Sequence, residues 1–139
     1  MSGKVLFVDD EPNILEGVRR QLRKLVALDT AMSAEEGMKA VLEKGPYAVV
    51  ISDMRMPHMN GTKFLSQVRD VSPDTVRMIL SGQADIDSTI AAINDAQIFR
   101  FLIKPCSGEH LVSAVEAALQ QFARNQTVRA LLSAAETVE

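Results

Sequence analysis

Residues 47–61 read YAVVISDMRMPHMNG, an apolar run followed by an acid, three methionines, a proline and a glycine. A run without regular polar alternation is typical of a strand that is covered on both faces, as in a parallel sheet. Pro57 and Gly61 then indicate a turn. The stretch predicts a buried strand over residues 47–52 that ends beside one carboxylate, Asp53.

The same alternation of short apolar runs and amphipathic stretches continues along the chain. Apolar runs predict strands at residues 4–8, 26–32, 47–52, 75–81 and 98–103. Helical spacing predicts helices at residues 9–25, 33–44, 61–71, 84–96 and 107–125. Pro12 suits the first turn of the first helix, and Ser33 and Glu36 have the spacing of a capping box. Because each strand precedes a helix, we expect a doubly wound parallel sheet with helices on both faces.

Size and composition limit the class of protein. The chain has 139 residues, of which 47% are hydrophobic and 24% charged, as in a single globular domain. The net charge of −3 argues against sequence-independent binding of nucleic acid. Cys106 is the single cysteine, so no internal disulfide is expected. No apolar stretch reaches the roughly 20 residues that span a bilayer, and the first residues do not read as a signal peptide, so we expect a cytoplasmic protein.

Polar side chains follow four of the predicted strands at the point where each strand ends. They are Asp9 and Asp10 after the first strand, Asp53 after the third, Ser81 at the end of the fourth and Lys104 after the fifth. In doubly wound sheets, functional groups collect beyond the carboxyl ends of the strands. We therefore expect these side chains to converge at one edge of the sheet.

Clustered carboxylates repel one another, and either a proton or a cation relieves the repulsion. Oxygen ligands favour a hard divalent cation, and no nearby pair of histidines or of cysteines indicates a zinc site, since His58 and His110 stand alone and Cys106 is the single cysteine. A magnesium ion leaves coordination positions for a phosphoryl oxygen, and Lys104 and Ser81 can contact two more. The pattern predicts a phosphoryl site with Asp53 as nucleophile or ligand.

Each of these residues also has a purely structural explanation. Asp9 or Asp10 can cap the helix that follows, and Asp53 can form the turn after its strand. Lys104 and Ser81 can be ordinary residues of a loop and a strand end. Their shared position at the same ends of different strands favours one common site.

The methionines at positions 54, 56 and 59 allow two interpretations. Thioethers bind soft metals, but methionines also fill gaps in apolar packing. Pro57 and Gly61 mark a turn, so we expect the methionines to pack beneath that turn.

The pattern resembles the receiver domain of two-component response regulators and is similar to the chemotaxis receivers. The matching motifs are DDE (residues 9–11), DMRMPHMNG (53–61), LSG (80–82) and FRFLIKP (99–105). The resemblance covers about residues 3–124. It implies a flavodoxin-like fold with five helices and strand order 2-1-3-4-5. It also implies that Asp53 takes a phosphoryl group from a histidine kinase or phosphotransfer protein and thereby switches partner or output interactions.

The resemblance assigns roles to individual residues. It implies that Mg²⁺ (or Mn²⁺) is held by Asp10, Asp53 and the backbone carbonyl of Arg55, with Asp9 acting through water. It implies that Lys104 pairs with the phosphoryl group, that Ser81 hydrogen-bonds to it, and that the Lys104–Pro105 bond is cis. The only catalysis implied is self-phosphorylation and slow self-dephosphorylation at Asp53, so an ordinary enzyme is not expected.

The same resemblance implies a switch pair and two positions that tune the phosphoryl lifetime. Ser81 and Phe101 match the pair that switches when receivers are phosphorylated, with phenylalanine here where relatives often have tyrosine. Arg55 and Gln83 match positions that flank the attacking water and tune the lifetime of the phosphoryl group. We expect the Arg55 side chain to shield or contact the acyl phosphate.

The C-terminal residues extend beyond the resemblance. Residues 1–124 are the expected receiver domain, and residues 125–139 are either a helical extension or a linker to an output domain outside this chain. An apolar stripe (Leu111, Val115, Ala118 and Phe122) is followed by a second set at helical spacing (Val128, Leu131, Leu132 and Ala135). No Pro or Gly interrupts residues 109–139, so one long, protruding helix is expected.

The expected partners follow from these features. A homodimer is expected either through the face of the fourth helix, fifth strand and fifth helix or through the C-terminal helix, by a short coiled coil. The motifs LSGQAD and FRFLIKPC resemble receivers that are joined to cyclic-di-GMP or cyclic-nucleotide enzymes. No DNA-binding motif and no membrane segment is present in the sequence.

Two other functions stay open on the sequence alone. Small aspartate-nucleophile phosphatases also use Asp, Mg²⁺ and Lys on a doubly wound sheet, but they carry an Asp-x-Asp pattern after the first strand and a cap domain. Here the two acids are adjacent and no cap domain is evident. A receiver-like scaffold that never accepts phosphate is the third alternative, which the complete set of acids with Lys104 disfavours.

Overall fold

The computed structural model describes residues 3–82, 90 and 94–137 of the chain. Its strands are β1 (Lys4–Val8), β2 (Ala27–Ala31), β3 (Val49–Asp53), β4 (Val76–Ser81) and β5 (Arg100–Ile103). They form one sheet in the order β2-β1-β3-β4-β5, and every neighbouring pair is parallel. The predicted flavodoxin-like doubly wound sheet is confirmed.

The helices of the described residues are α1 (Pro12–Leu22), α2 (Ala34–Lys44), α3 (Gly61–Val71) and α4 (Gly108–Thr137). A fifth helix, predicted at residues 84–96, lies largely outside the described residues, although Ile90 and residues 94–95 are helical. Gln83 also lies outside them. No helix within the described residues is both long and apolar enough to cross a membrane.

Both faces of the sheet are covered, which explains why the central strands read as continuous apolar runs. One face packs against α1 and α4 and includes Val5, Phe7, Ile51, Leu15 and Val115. The other face packs against α2 and α3 and includes Leu6, Val50, Ile79, Val41 and Phe64. The alternating strand residues therefore fill two separate cores, and the sheet between them is a rigid support for its carboxyl edge.

The register of the strands determines which residues become neighbours at that edge. Val8 pairs with Ser52, so Asp9 follows β1 directly beside Asp53 at the end of β3. Ser81 pairs with Ile103, so Lys104 begins directly beyond the end of β4. The Lys104 N–H donates to the Ser81 carbonyl oxygen at 2.8 Å, which continues the ladder by one bond.

The start of α2 confirms half of the predicted capping box. The Ser33 hydroxyl accepts the N–H of Glu36 at 3.1 Å. The Glu36 carboxylate, however, accepts the N–H of Met32 at 2.8 Å and not that of Ser33. The acid thus satisfies the donor one residue earlier, in the chain leaving β2, and the helix still begins where the pattern predicted.

The last helix is longer than the domain requires. Helix α4 runs for 30 residues, or about 45 Å, and passes residue 124 without a break. Its last buried residue is Leu119. Beyond that point the helix is held by the turn at residues 72–75, between α3 and β4. The Arg129 guanidinium donates to both carboxylate oxygens of Asp74, at 2.6 and 2.8 Å, and the Asn125 amide donates to the Asp74 carbonyl at 2.9 Å.

We predict that the Asp74–Arg129 contact holds the exposed end of α4 in helical form. Replacing Arg129 with alanine removes both charge-assisted bonds while keeping helix propensity, because alanine is the stronger helix former. Amide hydrogen exchange over residues 126–137 should become severalfold faster, as expected for one exposed ion pair.

The matched control is Arg124→Ala, which removes an exposed arginine from the same helix. Arg124 donates a hydrogen bond to Gln121, which also lies on α4. The control substitution should leave exchange unchanged.

The hydrogen bond from Arg129 lowers the pKa of Asp74. Stabilisation is therefore present above the ordinary carboxylate pKa and is lost as the pH falls through the lowered value. Equal exchange in both variants would show that the contact does not hold the helix.

Candidate functional site

The structure brings the predicted acids together at the carboxyl edge of the sheet. One carboxylate oxygen from each of Asp9, Asp10 and Asp53 lies within 4.8 Å of the others. Asp9 and Asp53 are buried, and Asp10 is half-buried. The Lys104 ammonium lies 3.0 Å from Asp53 Oδ1 and 3.7 Å from Asp9 Oδ2. Two of the three clustered acids, Asp9 and Asp53, therefore share one lysine.

The lysine reaches the acids because of how the chain leaves β5. Its backbone N–H is bonded to the Ser81 carbonyl, so Lys104 starts at the edge of the sheet. The Lys104–Pro105 peptide bond is cis, as the resemblance implied. The side chain then extends across β4 to Asp53, with about a quarter of its surface exposed.

The turn after β3 folds back over Asp53. The Gly61 N–H donates to the Met54 carbonyl at 2.8 Å. A Cβ atom at Gly61 would collide with the Asp53 carbonyl oxygen, so only glycine allows this close approach. The sequence predicts Gly61 as a turn residue, but its contact with Asp53 does not follow from the turn pattern alone. The glycine at the start of a helix, after a strand-end acid, is the signal that indicates such an approach.

The methionines of the turn are packing residues. Met54 and Met56 are buried in the core cluster beneath α3, and Met59 packs against it. The hydroxyl of Thr62 donates to Met54 Sδ at 3.4 Å, and that of Ser52 donates to Met56 Sδ at 3.9 Å. These contacts support the packing interpretation of the methionines.

Burial dominates the electrostatics of Asp9. It raises the pKa of Asp9 to about 6, although the Glu11 N–H, bonded to Asp9 Oδ1 at 2.9 Å, acts to lower it. The charge of Asp53 raises the pKa further, and that of Lys104 lowers it. Asp9 Oδ2 is buried and accepts no hydrogen bond from the described residues. An ionised Asp9 is therefore only partly compensated.

Asp53 and Lys104 form the closest ion pair of the site. Burial raises the pKa of Asp53, and the hydrogen bond and charge of Lys104 oppose that rise. Burial, the largest single effect, would lower the pKa of Lys104, but the hydrogen bond to Asp53 and the charges of Asp53, Asp9 and Glu11 together outweigh it, so the pKa of Lys104 is raised. The backbone N–H of Arg55 also bonds to Asp53 and lowers its pKa. Lys104 therefore stays protonated beside the acid.

The remaining predicted residues lie around this centre. Ser81 is buried, and its hydroxyl donates to the Gly82 carbonyl at 3.2 Å. The Arg55 side chain is exposed. Phe99 packs against the core, whereas Phe101 is 37% exposed on β5.

The donor set suits a small, hard cation. The three carboxylates supply oxygen ligands, and the buried Asp9 Oδ2 lies 3.7 Å from the Lys104 ammonium but accepts no hydrogen bond from the described residues. One ammonium offsets only one of the charges. The arrangement can therefore hold a divalent cation next to Asp53 and stabilise added negative charge on that carboxylate.

Comparison with known proteins identifies the family of the chain. The family model for the response regulator receiver domain matches residues 5–116. The hydrogenase transcriptional regulatory protein HoxA of Cupriavidus necator is 37% identical over 116 residues, which cover 84% of this chain and 24% of HoxA. The transcriptional regulatory protein GlrR of Escherichia coli is 33% identical over 120 residues, covering 86% of this chain and 27% of GlrR. The chain thus spans about a quarter of the length of these curated relatives.

Solved structures share the fold closely. One, described as adenylate cyclase from Rhodopirellula baltica, is 32% identical with a TM-score of 0.91 and covers 96% of this chain and 98% of its own. A response regulator receiver domain from Clostridium thermocellum is 31% identical with a TM-score of 0.79, covering 85% of this chain and 94% of its own. Because the family match covers most of the chain and includes every strand-end residue described above, the chain belongs to the response regulator receiver domains of two-component systems.

Proposed function

We propose that Asp53 accepts a phosphoryl group from the phosphohistidine of a histidine kinase or phosphotransfer protein, and that this changes the interactions of the chain. The observation that carries the proposal is the position of Asp53, with an ammonium 3.0 Å away and two further acids beside it. Receiver domains are regulatory, and a single carboxylate that is paired with one lysine is suited to hold one covalent group.

The reaction is an in-line phosphoryl transfer. A carboxylate oxygen of Asp53 forms a bond to phosphorus, the phosphorus–nitrogen bond of the donor breaks, and the donor histidine keeps the electron pair and takes up a proton. Lys104 offsets charge on the phosphoryl oxygens because its ammonium already lies at Asp53. Hydrolysis of the resulting mixed anhydride regenerates the Asp53 carboxylate and releases phosphate. The phosphorylated state therefore decays without a second protein.

The proposed metal ligands are Asp10, Asp53 and the backbone carbonyl of Arg55, with Asp9 acting through water. The buried, unsatisfied oxygen of Asp9 supports this assignment, because an ordered water or cation would satisfy it. A bound Mg²⁺ (or Mn²⁺) would supply charge neutralisation between the carboxylates and the phosphoryl group. The chain's own contribution is to hold the oxygens in place on two neighbouring strand ends.

The proposed switch pair is Ser81 and Phe101. The Ser81 hydroxyl is bonded to a backbone carbonyl here, and we propose that it turns to the phosphoryl group after transfer. Phe101 is partly exposed and has no hydroxyl, so its rotation would proceed without a side-chain hydrogen bond. Arg55 and Gln83, the latter outside the described residues, are the proposed determinants of phosphoryl lifetime.

The output of the switch is proposed to reside outside this chain. The curated relatives extend well beyond the matched region and are named as transcriptional regulators, and one structural relative is described as an adenylate cyclase. A cyclic-nucleotide or cyclic-di-GMP enzyme is the output class that the sequence motifs favour. The cytoplasmic location expected from the sequence stays a prediction.

We predict that Asp9 destabilises the chain when Mg²⁺ is absent. Its pKa is raised to about 6 from an ordinary value of 3.8, so the folded state binds a proton that the unfolded chain releases. Stability from this group is complete below the unfolded value and falls as the pH rises from about 4 to about 6. At pH 7 without Mg²⁺, Asp9→Asn should therefore increase the free energy of unfolding by about 1–3 kcal/mol.

Urea denaturation with and without Mg²⁺ measures both parts of this prediction. Wild type should gain stability with Mg²⁺, because a ligand that binds only the folded state stabilises it by mass action. Asp9→Asn should gain less. If Asp9→Asn were less stable than wild type at pH 7 without Mg²⁺, the prediction would be wrong, because the repulsion among the acids would already be relieved in the wild type.

We predict that incubation with acetyl phosphate and Mg²⁺ adds one phosphoryl group, visible as a single mass shift of the intact protein. The adduct should be absent in Asp53→Asn. The matched control is Asp70→Asn, which changes an exposed acid on α3 and should be labelled like wild type. Steady hydrolysis of varied phosphate esters would favour the phosphatase, and absence of any adduct in wild type would favour the scaffold.

We predict that the Arg55 side chain lengthens the life of the acyl phosphate by shielding it. In Arg55→Ala the half-life of the phosphorylated protein should shorten severalfold, while the backbone bond from residue 55 to Asp53 persists. Lys63→Ala, which removes an exposed cation from α3, is the control. An unchanged half-life in Arg55→Ala would remove Arg55 from the proposal.

A further inference from the structure

A buried arginine, Arg77, lies near the start of β4 and has no part in the phosphoryl site at the other end of that strand. The residue is 6% exposed, and no carboxylate of the described residues forms an ion pair with it. Burial lowers the pKa of Arg77, and the charge of Arg69 acts in the same direction. A buried cation without an acid depends on its hydrogen-bond acceptors. Those acceptors therefore indicate what the arginine does.

The Arg77 guanidinium spans two separate backbone segments. Its Nη1 donates to the carbonyl oxygens of Pro73 and Thr75, at 3.3 and 2.7 Å, in the turn between α3 and β4. On the other side, Nε donates to the Ala96 carbonyl at 3.0 Å and Nη2 donates to the Gln97 carbonyl at 3.4 Å, shortly before β5. Because the guanidinium is planar and rigid, these bonds fix the turn relative to the segment before β5.

The segment before β5, residues 95–97, closes a helical stretch and is held by cations. Gln97 has a left-handed backbone, with φ of 52°, which is uncommon for a residue other than glycine. Arg69 of α3 donates to the Asp95 carbonyl, and Arg77 donates to the next two carbonyls. The last carbonyls of a helix lack partners within it, and cationic side chains satisfy them. Side chains from α3 and β4 therefore hold this segment.

The same turn also holds the exposed end of α4. Asp74 lies between the two turn residues that accept hydrogen bonds from Arg77. Its carbonyl and carboxylate oxygens accept hydrogen bonds from three side chains of α4, those of Asn125, Gln126 and Arg129. Within the part of the chain that the structure describes, these three side chains make no hydrogen bond to any other element. A displacement of the turn therefore moves the acceptors that orient the end of α4.

Packing between α4 and the segment before β5 is incomplete at this level. A cleft of about 180 Å³ lies there, and its lining includes Gln97, Phe99, Gln121 and Asn125. The helix does not fill the space beside Gln97. The rigid connection between the segment and the exposed end of α4 therefore runs through Arg77 and the turn.

We propose that Arg77 couples the segment before β5 to the exposed end of α4. A displacement of residues 95–97 moves the guanidinium, and the guanidinium moves the turn and Asp74 with it. The Phe99 N–H also donates to the Arg77 carbonyl oxygen at 2.8 Å, so both the backbone and the side chain of Arg77 are bound to the chain that enters β5. The coupling is a free energy that links the two regions in both directions.

The inference rests on the proposed function, in which phosphorylation of Asp53 repositions Ser81 and Phe101. Phe101 lies on β5, directly after the segment that Arg77 holds. The turn lies at the amino edge of the sheet, opposite the edge that carries Asp53. Arg77 thereby gives a phosphoryl group at one edge of the sheet a route to the end of α4 at the other edge.

A double-mutant cycle read by amide hydrogen exchange tests the coupling without any phosphoryl group. Arg77→Lys keeps a cation, but a compact ammonium reaches only one of the two segments. Exchange over residues 126–137 should become severalfold faster, with the β3 amides as the internal reference for global unfolding. In an Asp74→Ala background the same substitution should accelerate exchange by about twofold at most, because Asp74 no longer binds Gln126 and Arg129 through its carboxylate.

The matched control is Arg69→Lys. Arg69 donates to the same segment, at the Asp95 carbonyl, but makes no bond to the turn or to α4 within the described residues. This control should leave exchange over residues 126–137 unchanged. Equal acceleration by the two lysine variants, an equal effect of Arg77→Lys in both backgrounds, or no acceleration by Arg77→Lys would overturn the inference.

Beryllofluoride with Mg²⁺ separates this inference from the proposed function. With bound beryllofluoride, detected by ¹⁹F NMR, exchange over residues 126–137 should change severalfold in wild type and stay unchanged in Arg77→Lys. Bound beryllofluoride without a change in wild type, or with an equal change in Arg77→Lys, would overturn the coupling. Absence of bound beryllofluoride in wild type would count against the phosphoryl site at Asp53, and the double-mutant cycle then decides the coupling alone.

Discussion

Repulsion among three carboxylates at one edge of the sheet is the constraint on which the site depends. The parallel register places Asp9 and Asp53 side by side, and only one ammonium, that of Lys104, is close to both. Burial removes the water that would otherwise screen them. The site is therefore left with excess negative charge, and the buried Asp9 Oδ2 accepts no hydrogen bond from the described residues. A divalent cation would relieve this imbalance, and the proposed phosphoryl group would then bind beside that cation.

The rest of the fold keeps the acids in this unfavourable position. Two apolar cores clamp the sheet from both faces, so the strand ends cannot spread apart. Gly61 lets the turn approach the Asp53 carbonyl closely, and the bond from Lys104 to Ser81 fixes where the lysine begins. Stability is supplied by the cores, and the edge can therefore carry a local cost that serves binding.

Local sequence patterns predicted the strands and the acids at their ends. Contacts between residues far apart in the sequence did not follow from those patterns. The apolar runs indicated β1 and β3 because burial on both faces leaves an uninterrupted apolar run in the sequence, and the strand-end acids followed from topology. The donor predicted for Glu36, the Ser33 N–H, was wrong by one residue. The flexible Glu36 side chain accepts the neighbouring Met32 N–H instead. The bond between Asp74 and Arg129 joins residues far apart in sequence, and no local spacing records it. The exposure of Phe101 depends likewise on what packs over an edge strand.

A crystal structure of the chain with Mn²⁺ and beryllofluoride, with anomalous differences recorded at the manganese edge, tests the central claim most directly. The account predicts one manganese peak that contacts Asp10 and Asp53, beryllofluoride attached to Asp53, and the Lys104 ammonium and Ser81 hydroxyl bound to its fluorines. Manganese elsewhere on the protein, or beryllofluoride away from Asp53, would contradict the claim that these strand ends form one phosphoryl site.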